Sequence, residues 1–375
     1  MAGLYLHIPF CKQACVYCDF HFSTKLETKA RMVDALIREI GLTANYLQGE
    51  PLQSVYFGGG TPSLLTAREL EKIWRAVEEN HRLASPLEVT LEANPDDLDR
   101  QTLAQLADSA VNRLSVGVQS FDEADLRFMN RAHSAQQSRQ ALEYLQKAGF
   151  ENFTIDLIYG LPGRGIDHWR KQLSYLTDLA VPHFSAYALT LEAKTLLAHQ
   201  VKAGEVELPD DELLLSQFKA LQAFADVADY QHYELSNFAR PGREAVHNSA
   251  YWRGVAYLGI GPSAHSFKLP ERRWNVANNH RYMKAIEQEI LPSEREELTP
   301  KDQFNERVMT ALRLRDGLDL EQLALDFGPG FRDHLLGESA KDRAHGRLAL
   351  NEQRMYIPPA HRFETDGIAA ALFYL

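Results

Sequence analysis

Cysteine is almost absent from this chain of 375 residues. There are three, Cys11, Cys15 and Cys18, all within "CKQACVYCDF". So few thiols exclude a disulfide-stapled secreted scaffold. Long apolar runs are absent too: none approaches the ~20 residues that a membrane span needs. Nor is there an excess of basic residues. Lys and Arg number 40 against 51 Asp and Glu, a net charge of −11, which argues against nucleic acid as a partner. The opening "MAGLYLHIPFCK" has no basic n-region and no long apolar h-region, so no signal peptide is expected and the cytoplasm is the expected compartment. Internal repeats and low-complexity tracts are missing, which removes solenoids and linkers. What is present is a hydrophobic content of 45%, ordinary for a globular chain with a large core, in one large domain or a large one with a small one.

The cysteine spacing is C-x3-C-x2-C, after the apolar alternating stretch "GLYLHIPF". Three chemistries compete for it. A structural zinc site wants a fourth protein ligand, which would have to be His7 or His21. A redox loop needs two thiols and leaves the third idle. A four-iron cluster takes three thiolates and keeps one iron open for a small molecule.

Further along, strand-like and helix-like patterns alternate. Residues 25–47 place Val33, Leu36, Ile37, Ile40, Ala44 and Leu47 on one helical face, and Thr24 with Glu27 suits a capping box at its start. Strands are expected at 54–60, 87–95, 112–120, 153–162 and 183–189, separated by helices at 66–80, 99–109, 134–148 and 167–179. With the strand before Cys11 these make six βα units, hence an α/β chain built on an open, partial (β/α)6 barrel. Within the strands, Val89 and Leu91 oppose Thr90, Glu92 and Asn94. Likewise Leu114, Val116 and Val118 oppose Ser115, Gly117 and Gln119, and Asp156 shares a face with Thr154. Small and polar residues on an inner face imply a hollow lined for a polar ligand, since a packed barrel interior is branched and apolar. One wet face of an antiparallel sheet would give the same alternation, but the interleaved helices disfavour it.

C-x3-C-x2-C with Tyr17 before the last cysteine resembles the signature of the radical S-adenosylmethionine (SAM) superfamily. "YLHIPFCKQACVYCDF" and "YFGGGTPS" are similar to the branch that contains oxygen-independent coproporphyrinogen III dehydrogenase and its relatives, along most of the chain. The resemblance implies a 4Fe-4S cluster on Cys11, Cys15 and Cys18 whose open iron binds SAM. It also implies SAM contacts at Tyr5, Tyr17, Gly59, Gly60, Thr61, Glu92, Gln119, Arg131 and Asp156, with a weaker match at Ala188. The chemistry of these side chains agrees. Carboxylates and amides suit ribose hydroxyls and adenine edges, and Arg131 can meet a carboxylate in two places.

Within that branch two positions divide the relatives. The dehydrogenases carry a further cysteine where this chain has Phe20. "HNSAYW" (247–252), with "YELSNFARPG" and "YLGIGPSAHSF" around it, is similar to the H-N-x-x-Y-W motif of haem chaperones. The resemblance therefore implies haem as a third cofactor, with His247 as a candidate iron ligand, Asn248 holding the imidazole or a propionate, and Tyr251 and Trp252 walling the ring. A packed turn at a domain edge would also bring His and Trp together, and His265 competes as ligand. His7 and His21 are expected to be structural. Expected partners are haem and haem-accepting proteins, some of them membrane enzymes in the family, with only peripheral membrane contact for this chain. A homodimer is implied by resemblance only. Haem delivery is the first expectation; radical decarboxylation of coproporphyrinogen III is the second.

Composition shifts near Pro292. Segment 292–300, "PSEREELTP", is charged and bounded by proline, and is expected as a linker. Beyond it two helical patterns, a short hairpin and "GIAAALFYL" suggest a small winged-helix-like α+β cap. The expected division is thus 1–235 (barrel with cluster loop), 236–292 (barrel edge with HNSAYW) and 300–375 (cap).

Overall fold

The computed structural model describes residues 1–375. Six parallel strands lie side by side in chain order: β1 (Ala2–Ile8), β2 (Leu52–Gly59), β3 (Leu83–Ala93), β4 (Arg113–Gln119), β5 (Phe153–Tyr159) and β6 (His183–Ala188). Helices Ala67–Asn80, Arg100–Ala107, Ala135–Lys147 and Ile166–Asp178 join them, which is the expected (β/α) alternation. Side-chain caps set the start of several of these helices. Thr66 and Glu69 form a capping box before Ala67, and Ser134 with Gln137 does the same before Ala135, satisfying amides that have no partner inside the helix.

The sheet continues beyond the six units. β7 (Gln231–Glu234) and β8 (Asn237–Ala239) form an antiparallel hairpin on β6. On the other side β9 (Tyr257–Ile260) lies parallel to β1, followed by antiparallel β10 (His265–Lys268), β11 (Glu271–Asn275) and β12 (Ser293–Glu297). The result is one open twelve-stranded sheet that does not close on itself.

Two local expectations change. The first helix runs Lys29–Leu42, behind a 3-10 turn at Leu26–Thr28, and Thr24 does not cap it. The chain leaving the cysteine loop still pairs with its own entry there. Ser23 N donates to Pro9 O at 2.9 Å and Cys11 N to Ser23 O at 3.1 Å, so a helix can only begin later. The expected linker is largely β12, the edge strand, with Glu296 opposite Arg272. An edge tolerates the charge that would disqualify a central strand.

The main core lies between the outer face of the strands and the helices, with Leu4, Phe57, Leu91, Leu114, Ile155 and Phe184 among its buried members. Residues 300–375 pack around a separate core that includes Phe304, Val308, Leu323, Leu335 and Met355. That region is helix Pro300–Arg313, three further α-helices, a three-stranded sheet and helix Thr365–Ala370. It docks on the β7–β8 hairpin, where Leu235 N donates to Arg313 O and Arg315 N to Tyr233 O, both at 3.0 Å.

Candidate functional site

Strand alternation puts the apolar residues outward, so the polar set faces inward. Tyr56, Thr90, Glu92, Arg113, Ser115, Gly117, Gln119, Thr154, Asp156 and Ser185 line a cavity of about 740 Å³ inside the partial barrel. That volume suits one or two small molecules. The cysteine loop covers the end of the cavity at the carboxyl ends of the strands, where barrel sites lie. Cys11, Cys15, Tyr17 and Cys18 all open on it.

The loop is short on buried apolar area and is held instead by polar clamps. Asn130 Nδ2 donates to Ala14 O at 2.7 Å, and Gln13 Nε2 donates to Asn130 Oδ1 at 2.7 Å. Lys12 pairs with Asp96 at 2.7 Å and with Asp97. Thr61 Oγ1 lies 3.5 Å from Cys11 Sγ and Arg131 Nη1 lies 3.3 Å from Cys15 Sγ, both oriented as donors to sulfur. Burial pushes the Cys11 thiol up and Cys18 up to about 11, so these two must release protons when they bind metal. Three thiols with no free fourth protein ligand suit a four-iron cluster and leave zinc one ligand short: His7 Nε2 is engaged by His21 O at 2.8 Å and His21 Nε2 by Asn279 Oδ1 at 2.7 Å.

The glycine run has a steric cause. A side chain at Gly60 would strike the Phe10 backbone, and one at Gly59 (φ 108°) the ring of His7. The strand end must pass under the entry to the cysteine loop, and only glycine permits it. Gly59 N then donates to Glu92 Oε2 at 3.1 Å and Tyr56 OH to Glu92 Oε1 at 2.9 Å. Burial raises Glu92 to about 7 and Asp156 to about 6, and Asp156 pushes Glu92 further. Both inward carboxyls thus gain from a ligand hydroxyl or amino group. Gln119 has φ 65°, a left-handed backbone unusual for a non-glycine residue and concentrated at ligand sites. Arg131 donates to Asn94 Oδ1 at 2.6 Å and Gly117 O at 2.8 Å, while its buried Nε has no partner.

The structure thus brings Tyr17, Gly59, Gly60, Thr61, Glu92, Gln119, Arg131, Asp156, Ala188 and Asn248 to one cavity with the three cysteines. Tyr5 stands behind that wall, its OH 3.1 Å from His7 Nδ1 and its ring on Tyr56. Since His7 Nε2 donates to a carbonyl, Nδ1 accepts from Tyr5.

The HNSAYW segment is the seven-residue helix Val246–Trp252. It plugs the opposite, amino-terminal end of the strands. Glu88 on β3 accepts from Val246 N at 3.0 Å and His247 N at 2.9 Å. His247 points inward, with Nδ1 2.9 Å from Ser54 Oγ and its ring 4.9 Å from Tyr56. Burial lowers its pKa to about 4, so the imidazole is neutral near pH 7. Tyr251 is 47% exposed. Trp252 lies beneath Arg313, whose guanidinium stands 4.8 Å from the ring centre and pairs with Asp366 at 2.6 Å. His265 is exposed on β10, against Trp274.

Sequence reasoning places Thr90 on the inner face but does not single out Asn130, Lys12, Arg113 or Arg313. Arg113 was within reach: it shares the inward parity of Ser115 and Gly117.

A family profile described as the Radical SAM superfamily matches residues 5–176, and one described as the HemN C-terminal domain matches 298–363. The chain is similar to heme chaperone HemW of Lactococcus lactis, with 37% identity over 354 residues, 94% of this chain and 92% of that one. It is similar to heme chaperone HemW of Bacillus subtilis, with 32% identity over 95% of both chains. In fold it is similar to coproporphyrinogen III oxidase (HemN) from Escherichia coli, described as a radical SAM enzyme. There the TM-score is 0.86 at 23% identity, covering 99% of this chain and 90% of that one.

Proposed function

The chain belongs to the heme chaperone HemW family, and with it to the radical SAM superfamily; from this premise we propose that it binds haem and delivers it to haem-accepting proteins, with a 4Fe-4S cluster and SAM as cofactors. The observation that carries the reading is similarity over nearly the whole chain, from the cysteine loop through the HNSAYW helix to the C-terminal unit.

Cys11, Cys15 and Cys18 would hold the cluster, and the clamps from Lys12 and Asn130 would keep the loop in place. Gly59, Gly60, Thr61, Glu92, Gln119, Arg131 and Asp156 would hold SAM, with Tyr17 and Ala188 on the same wall and Tyr5 supporting it from behind. The bound cluster supplies one electron at low potential, which is the superfamily's means of activating SAM. The protein's task beside it is to orient the ligand and exclude water, which a lumen closed below by a helix favours.

His247, Asn248, Tyr251 and Trp252 are proposed as the haem-facing motif. Tyr251 is open to solvent and Asn248 opens on the cavity. His247 Nδ1 is engaged with Ser54, so Nε2 is the ring nitrogen left for haem iron. No helix of this chain is long and apolar enough to cross a membrane.

The test is anaerobic reconstitution, then titration of one sample with haem and SAM, then transfer to an apo-haemoprotein. Expected are about four irons and four sulfides per chain, a Soret band on haem addition, and haem transfer. Protoporphyrinogen formed from coproporphyrinogen III above background would instead assign the decarboxylase activity.

A further inference from the structure

The lumen floor holds two buried donors that nothing in the chain satisfies. Thr90 on β3 and Arg113 on β4 are direct partners in register. Each is 1% exposed, and each lines the cavity. Thr90 Oγ1 and Arg113 Nη2 have no hydrogen-bond partner.

The rest of the Arg113 guanidinium is fixed. Nη1 donates to Asn152 Oδ1, and Nε lies 4.0 Å from Glu88 Oε2. Glu88 is not free to turn onto Nη2, because its two oxygens accept the amides of Val246 and His247. Asp156 shares the wall and its charge acts on Arg113, but no hydrogen bond joins its carboxyl to Nη2. A buried cation with an unmet N–H is costly. A ligand that supplies the missing acceptor recovers that cost. The matching group is a carboxylate, whose two oxygens fit an N–H of a planar guanidinium and a neighbouring hydroxyl.

We propose that Thr90 and Arg113 form a carboxylate subsite on the barrel floor, which takes a propionate arm of the bound tetrapyrrole. The proposal rests on the haem reading above. Haem carries two propionates. The same cavity is walled by Phe218, Leu235 and Phe363 toward the C-terminal unit, an apolar face for a macrocycle. Asn248 also opens on the cavity, so the HNSAYW helix contributes a further amide to it.

The probes are haem and haem dimethyl ester, titrated into the reconstituted full chain. The wild type binds haem about tenfold or more tightly than the diester. Thr90→Val keeps the side-chain shape and breaks no internal hydrogen bond, so it folds; it weakens haem binding about threefold to tenfold and leaves the diester unchanged. Arg113→Lys keeps the charge, loses the fork and has the larger effect of the same kind. Equal binding of haem and diester by the wild type, or variants that leave their ratio unchanged, would overturn the subsite and spare the haem reading. Binding of neither probe by the wild type would overturn the haem reading, and the subsite with it.

Discussion

The two faces of one sheet differ in what they do. On β5, Ile155 and Leu157 point outward into the helices and are fully buried. Between them Asp156 points inward to the cavity, with a carboxyl whose pKa burial raises to about 6. The outward face is apolar and packed, and it holds the fold. The inward face is polar and incompletely satisfied, and it is available to ligands. Neighbouring positions should therefore fail in different ways when changed.

The largest expected effect is at the mouth. Cys15→Ser should abolish the cluster's absorbance near 400 nm and its iron while the far-ultraviolet dichroism stays unchanged, because the loop buries little apolar area. Full iron and sulfide in that variant would break the ligand assignment.

A pair on one strand sharpens the contrast. Ile155→Ala should cost about 2–5 kcal/mol of stability through the lost methylenes and the cavity left behind, read by urea unfolding, with SAM affinity of the folded fraction retained. Asp156→Asn should do the reverse, weakening SAM binding about tenfold or more without lowering the unfolding midpoint. Equal destabilisation by both would refute the division between faces.

The inward carboxyls also set a pH dependence. Glu92 rises from 4.5 to about 7 and Asp156 from 3.8 to about 6 in the fold. The folded chain therefore holds protons that the unfolded chain has released. Taken alone, these two groups make stability fall as pH rises from about 4 to about 7, while the buried imidazoles of His7, His133, His232 and His247, whose pKa values burial lowers, act in the opposite direction. The stability of Glu92→Gln relative to the wild type should therefore rise between about pH 5 and pH 7, by urea unfolding; a constant difference would show that Glu92 does not titrate there.

The smallest effect concerns the floor. Ser54 holds His247 through Nδ1, so Ser54→Ala removes an orienting hydrogen bond worth about 1 kcal/mol. With His247 as the iron ligand, haem affinity should fall up to about fivefold, by Soret titration. Unchanged affinity would mean that Ser54 does not position the ligand.

Much of the site was legible because period-two alternation survives in the long parallel strands. The parity of "VTLEAN" and "RLSVGVQS" showed which side chains face the lumen, and the cysteine spacing showed where the mouth is. The outer strands were less legible. β7 and β8 have four and three residues, too few for a period to register, and the charge of β12 read as a linker because an edge strand and a linker both tolerate solvent. HNSAYW was recognisable as a motif, but its helix faces the way it does because Glu88, far away in sequence, caps it.

The sequence by itself determined the chemistry available: three thiols in one short loop, inward carboxylates at alternate positions, and a glycine run where two segments cross. These are local properties, set by spacing and by the two-residue repeat of a strand. Only the tertiary structure decided that His247 turns in and Tyr251 out, and that Thr90 and Arg113 meet unpaired on the floor. Those outcomes depend on register between strands and on caps supplied from distant residues, which no local pattern carries.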